Sequence, residues 1–397
     1  MRYQGLFKSF FLGGFECSTH RLRNGKRLDE IAASRHDTFA REDYLRLQRQ
    51  GMRAAREGLR WHLIEPSPGK YDFSSVIGML HAARETGTQV IWDLCHYGWP
   101  DWLDIFEARF GNAFAELARE FGKVLANETD QLPIISPVNE ISFFSWAAGE
   151  VAHLNPYALG RGSELKEQLV RAAIAATEAL WDINPKTRIA HIDPVINVLP
   201  NDPSDAIQRR DAEAYRLSQY EAWDMLAGCL KPQLGGAQKY LDIIGINYYV
   251  HSQWVLGGAF IDQDNPRYRP FREIVKEVYE RFERPLFVAE TGIENEERPA
   301  WLRYVSSEVR AALRLGSQVE GICLYPIVNH PGWEDDRHCH NGLWDYPNEK
   351  AEREIYVPLA QELSKQQDDF RKLVHTRNSS HSESLKLVVC AANLAQP

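Results

Sequence analysis

The chain has 397 residues, 44% hydrophobic and 25% charged, which is enough apolar material for a sizeable core in a soluble globular protein. A net charge of −9 with no long basic block argues against nucleic acid and anionic membrane surfaces as partners. The opening "MRYQGLFKSFFLGGFECS" holds one short apolar stretch ended by Glu16, too short to span a bilayer and without a small-residue cleavage site, and no later stretch reaches membrane length.

Apolar, β-rich runs alternate with helical patterns along the chain. Strands are predicted at 10–18, 54–64, 89–98 and 132–141, then at 188–196, 240–249, 285–293 and 321–329. Helical periodicity fills the intervals, with "DYLRLQRQG", "SSVIGMLHAARETG" and "NAFAELAREFGKVLAN" after the first three strands. The fourth interval holds "SELKEQLVRAAIAATEALWDI" (163–183), which opens on Ser and carries apolar residues every three or four positions. "DAEAYRLSQYEAWDMLAG", "REIVKEVYERFE" and "PAWLRYVSSEVRAALRLG" follow, and Gly or Asn closes several helices as a left-handed C-cap would. Eight buried strands alternating with helices predict a single-domain α/β (β/α)8 TIM barrel over residues 1–375. The alternative, a doubly wound open sheet, lacks its GxGxxG after the first strand. Residues 376–397, polar and then apolar without helical period, read as a C-terminal appendage, poorly ordered or docked on the surface. Six cysteines (17, 95, 229, 323, 339 and 390) without CxxC spacing read as reduced thiols of a cytoplasmic protein.

In a barrel, chemistry collects where the strands end. Those ends carry Glu16, Arg60 and His62, His96, Asn139 and Glu140, Asp193, Asn247 and Tyr248, Glu290, and Tyr325 and Asn329. One polar strand end is ordinary, but nearly all eight ending so is hard to explain by packing, since each group needs a partner. "SPVNE" ends strand four and "FVAETG" ends strand seven, so two carboxylates face the barrel mouth from different walls. Carboxyl groups about 5 Å apart would suit a retaining glycosidase, and a wider gap an inverting one. Eleven Trp, sixteen Tyr and seventeen Phe, several of them beside strand ends, also lean towards sugars, whose flat faces stack on rings. Each residue has a plainer reading as well. Glu140 could cap a helix, Arg60 could pair with Glu65, His96 could be a satisfied core histidine, and Tyr248 could be simple packing. In "DDRHCHNG" (335–342), two His and a Cys stand too close in sequence to converge on one ion, so no metal is expected there.

The motifs "FLGGFECS", "LCHYGWPDWL", "DIIGINYY", "VAETGI" and "GW…NGLWDY" together resemble glycoside hydrolase family 1, the β-glucosidase family. "EPSPGKYDFS" and the two strand-end glutamates are of a kind found across the wider clan A of retaining (β/α)8 glycoside hydrolases. The resemblance spans roughly residues 10 to 350. It implies Glu140 as general acid/base and Glu290 as nucleophile, the latter kept ionised by Arg60 and Tyr248. It places Asn139 on the sugar 2-hydroxyl, His96 on the neighbouring hydroxyl and Trp333 on the pocket wall. No cofactor and no metal are implied, and the expected partner is a small soluble glycoside. The far side of the sugar departs from the family. The first-strand Gln has no counterpart in register, with Glu16, His20 and Arg21 nearby; Tyr325 stands for a Trp, and Gly332 for a hydroxyl-reading Glu. Glucose, galactose, fucose, a uronic acid or a decorated sugar all stay open. So do transfer to an acceptor other than water and a non-catalytic sugar-binding barrel.

Overall fold

The computed structural model describes residues 5–373. Eight parallel strands close a barrel: β1 Phe11–Gly14, β2 Ala54–Gly58, β3 Gln89–Cys95, β4 Ile134–Val138, β5 Arg188–Pro194, β6 Ile243–Asn247, β7 Leu286–Thr291 and β8 Val319–Leu324. Each strand pairs with its neighbours in sequence, and β8 closes onto β1 through Ile322 opposite Phe11 and Leu324 opposite Gly13. The crossovers carry α1 His36–Arg49, α2 Ser74–Thr86, α3 Arg109–Glu128, α4 Gly162–Ile183, α5 Ala206–Leu217, α6 Phe271–Phe282 and α7 Arg298–Arg314, and α8 follows over 357–373. The (β/α)8 TIM barrel read from the sequence is the observed fold.

The strands are nearly continuous apolar runs because both faces are covered. One face points into the barrel, where Leu12, Ile91, Ile134, Ile192, Ile243 and Phe287 form a core of their own. The other packs on the helices in a second, larger cluster. Close approach matters at Gly14, where an added Cβ would lie 2.1 Å from the Tyr325 ring. Gly87 closes α2 in the left-handed conformation at φ 70°, as its sequence suggests.

Predicted strand ends overrun the observed ones. The 54–64 prediction stops at Gly58, and Trp61–Ile64 form a helical turn. Apolar residues continue past the barrel rim because loops also pack there, so hydrophobicity does not mark where the ladder ends. The fifth-interval helix begins earlier than predicted, at Ala206, where the Asp205 carboxylate accepts from the Ile207 and Gln208 N–H groups. The appendage expected from residue 376 lies outside the described residues. Among the described residues no helix is long and apolar enough to cross a membrane, and five cysteines are free thiols.

Candidate active site

β4 delivers Glu140 through an unusual backbone. The parallel ladder runs one residue beyond the strand, with Asn139 bridging to Ile192 and the Glu140 N–H donating to the Ile192 carbonyl at 2.9 Å. Glu140 then turns left-handed at φ 52°, ψ 58°, and Tyr97, two residues past the end of β3, does the same at φ 66°. A non-glycine residue in this region costs of order 1 kcal/mol or more and persists where surrounding contacts impose it. Here the two strained residues meet, the Tyr97 hydroxyl donating to Glu140 Oε2. Asn247, ending β6, donates to Glu140 Oε1 at 2.7 Å.

Glu290, on β7, is held by different partners. Arg56 Nη1 donates to its Oε1 at 2.6 Å and the Tyr249 hydroxyl to its Oε2 at 2.8 Å. Arg56 is fully buried, and all five of its N–H groups are engaged. Besides Glu290 it reaches the Ala289 carbonyl, both carboxylate oxygens of Asp93, and Asn139 Oδ1 at 2.6 Å. That fixes the Asn139 amide, whose Nδ2 points to His96 Nε2 at 3.2 Å and the Tyr97 hydroxyl at 3.0 Å. His96 leans on Asp93 at 3.0 Å and lies parallel to Tyr325, ring centroids 6.0 Å apart.

Glu140 and Glu290 open into one cavity of about 840 Å³, a volume suited to a small organic ligand. Glu16, His96, Tyr97, Tyr249 and Trp333 share its inner wall, and Trp146, Trp254 and Phe260 its outer part. A π-helical turn, Ser145–Glu150, brings Trp146 to that wall. Burial and then the charge of Glu290 push the Glu140 carboxyl up to about 7. Burial alone would also raise Glu16, but His96, His330 and Ser18 outweigh it and hold this carboxyl below its usual range. Asp193, behind Glu140, is pushed up to about 8 by burial, with the Glu140 charge adding to it.

The sequence-predicted residues divide. Glu140, Glu290, His96 and Trp333 line the cavity; Asn139 and Tyr325 are packed into the network behind it. Two assignments are corrected. Arg60 lies beyond β2 and pairs with Asp37 at 2.8 Å and Asp29 at 3.4 Å, while Arg56 binds Glu290. Tyr248 stacks on Phe271 at 4.0 Å and bonds Tyr268 and Gln253, so its packing reading holds, and Tyr249 is the hydroxyl on Glu290. The two misses differ in kind: the strand was predicted to run past Gly58, which gave Arg60 the part that Arg56 plays inside it, whereas Tyr248 and Tyr249 are adjacent and side chains of adjacent residues point to opposite sides. Glu65, weighed as a partner for Arg60, instead accepts from the Trp61 indole at 2.8 Å. Sequence reasoning gave no site role to Arg56, Tyr97 or Tyr249, and counted Asn247 only among the polar strand ends. Period-two counting inward from Ala54 would have flagged Arg56, a charge inside a buried strand.

No family model matches the chain, and no curated protein does. Solved structures match over most of its length. The family 1 β-glucosidase from Thermotoga maritima is 15% identical over 92% of this chain and 99% of that one, with a TM-score of 0.74. The AHE enzyme from Alicyclobacillus herbarius is 16% identical over 84% of this chain and 87% of that one, with a TM-score of 0.73. A hyperthermophilic β-glucosidase mutant is 16% identical over 91% of this chain and 100% of that one, with a TM-score of 0.72. The chain therefore has the fold that these three structures share.

Proposed function

We propose that the chain is a retaining β-glycosidase, a divergent relative of the family 1 glycoside hydrolases, acting on small soluble glycosides. The observation that carries this reading is a pair of carboxyl groups lining one cavity, each held by different partners, one of them pushed well above its usual range. Glu290 accepts charge-assisted and hydroxyl hydrogen bonds from a guanidinium and a phenol, which orient its oxygens for attack. Glu140 is pushed to about 7 and so is largely protonated just below neutrality. In the first step Glu290 attacks the anomeric carbon, the glycosidic bond breaks, and Glu140 gives its proton to the departing oxygen. Forming the glycosyl ester removes the Glu290 charge, one of the causes raising Glu140. Glu140 then takes a proton from water, which attacks the ester carbon and frees Glu290. His96, held by Asp93, would meet a hydroxyl next to the anomeric carbon, while Asn139, held by Arg56, packs behind it. An acceptor alcohol replacing water would make the same intermediate a transfer enzyme.

Glu16 indicates the sugar class. Among the described residues the cavity lining includes one Lys or Arg, Lys166, which pairs with Glu221 at 2.7 Å. The described lining therefore offers a uronate carboxylate no unpaired Lys or Arg and sets Glu16 beside it, so a neutral sugar is favoured. The free cysteines suit a reducing setting such as the cytoplasm.

The test is turnover of aryl glycosides varied at the 2-, 4- and 6-positions and in anomeric configuration, with the first-formed product followed by NMR. Neutral β-glycosides should react with retention, glucuronides at least about 100-fold more slowly, and Glu290→Gln should lose turnover by about 10⁴-fold. Inversion, or a wild-type protein that binds sugars without turnover, would overturn the reading.

A further inference from the structure

We propose that His338, His340 and Asp345 form a site for a divalent transition-metal ion of the zinc class, on the loop that also carries Trp333. The inference does not depend on the glycosidase reading. His338–Cys339 pairs antiparallel with His330–Pro331, so the backbone is extended through this segment. Residues i and i+2 of an extended chain share a face. His338 and His340 therefore both point outward, and Cys339 between them is buried. The sequence expectation that no metal set forms here considered His338, Cys339 and His340 as a trio. The strand turns the Cys away, and the next hairpin strand, Trp344–Pro347, supplies Asp345 instead.

One ring nitrogen from each His and one carboxylate oxygen of Asp345 all lie within 4.8 Å of one another. Donors about 2.0–2.2 Å from a zinc ion stand roughly 3–4 Å apart, so little movement is needed. The rings are stacked with centroids 4.2 Å apart, and Tyr346 backs His338 at 4.4 Å. A plain ion pair, His338 Nε2 to Asp345 Oδ1 at 2.6 Å, accounts for two of the three groups. It leaves the His340 ring without a hydrogen bond among the described residues. Asp345 is also oriented from behind. The buried Asn329 amide donates to Asp345 Oδ1 at 3.0 Å while its own oxygen accepts from the Gly342 N–H at 2.7 Å. Such outer partners fix a ligand before the ion arrives. Two imidazoles and one carboxylate select zinc, cobalt or nickel over magnesium and calcium. The exposed side leaves room for water as a fourth ligand. The other group of this kind among the described residues, Cys17, Asp93 and His96, is sealed in the barrel with both Asp93 oxygens taken by Arg56. A bound ion would tie the two halves of the loop bearing Trp333, which lines the cavity.

Titration calorimetry of the full chain with ZnCl₂ tests this. We expect one ion per chain, no comparable heat with MgCl₂, and a loss of more than about 100-fold in affinity for His338→Ala/His340→Ala, beyond the usual cost of losing an outer partner. The variant's Tm without metal should match wild type, because the residues are exposed. Should the variant fold poorly, the visible spectrum of Co²⁺ bound to wild type is the second measurement, with the intense bands of a four-coordinate nitrogen–oxygen site expected. No binding at about 0.1 mM free Zn²⁺, unchanged affinity in the double variant, or a hexa-aqua-like Co²⁺ spectrum would each overturn the site.

Discussion

Glu140 combines two costs, a left-handed backbone at φ 52° and a carboxyl raised from 4.5 to about 7 by burial and by Glu290. Both concern the native state, and both have measurable consequences. If the protonated form is the working acid, kcat/KM falls about tenfold per pH unit above about 7, and the pH profile of aryl glycoside hydrolysis checks it. The sign for stability follows from the same shift. The native carboxyl holds its proton up to a higher pH than the unfolded one, so stability falls as pH rises from 4.5 to about 7. Glu140→Gln removes the group that must ionise. We expect it to lose about 10²–10⁴-fold in turnover yet to be more stable than wild type at pH 8, by on the order of 3 kcal/mol. At pH 4 the gain should vanish. Equal gains in thermal denaturation at both pH values would show that ionisation is not the cause.

At the scale of the element, β2 shows how alternation sorts charge. Arg56 faces the barrel and binds Glu290 and Asp93; Glu57, next in sequence, faces α1 and accepts from His36 and Tyr44 at 2.8 Å each. Arg60, past the strand, bonds Asp29, Asp37 and the Ser75 carbonyl. Arg56→Met strands two buried carboxylates, and we expect it to cost about 3–5 kcal/mol of stability and to abolish turnover. Arg60→Met should keep turnover within about threefold, since its ion pairs sit at the partly exposed rim. Urea melts and kcat for the pair check this, and comparable losses of kcat would put Arg60 back in the site.

The whole molecule is closed by charge as well as by the sheet. His36 on α1 is fully buried, stacked on Phe15 at 3.5 Å, and sits between Glu57 of β2 and Asp43. Asp43 is also bound at 2.7 Å by Arg353, in the hairpin that follows β8. The network thus joins the first third of the chain to its last described part. Burial works against a charged imidazole, but Glu57 and Asp43 outweigh it and raise His36 to about 9. A base raised in this way stabilises the fold fully below its ordinary 6.5, and the contribution fades as pH climbs through about 9. Between pH 7 and 9.5 we expect wild type to lose on the order of 3 kcal/mol from this group. His36→Gln should be weaker at pH 7 but nearly flat across the same range. Denaturant melts at both pH values decide it, and parallel slopes would refute it.

The order of strands and helices determined the barrel, because hydrophobic period is a local property and a closed parallel sheet is the arrangement that buries eight apolar strands in sequence order. The two strand-end glutamates were legible for the same reason: a carboxylate after an apolar run is conspicuous without knowing its partners. What the chain text left undecided was phase. Arg56 against Arg60 turns on where a strand stops, and Tyr249 against Tyr248 and Asp345 against Cys339 on which face a residue takes. Those choices are set by barrel closure and by partners far away in sequence, such as Glu290 for Arg56 and Asn329 for Asp345. Only the tertiary structure brings such partners within hydrogen-bond reach, and that is where a buried charge finds its compensation.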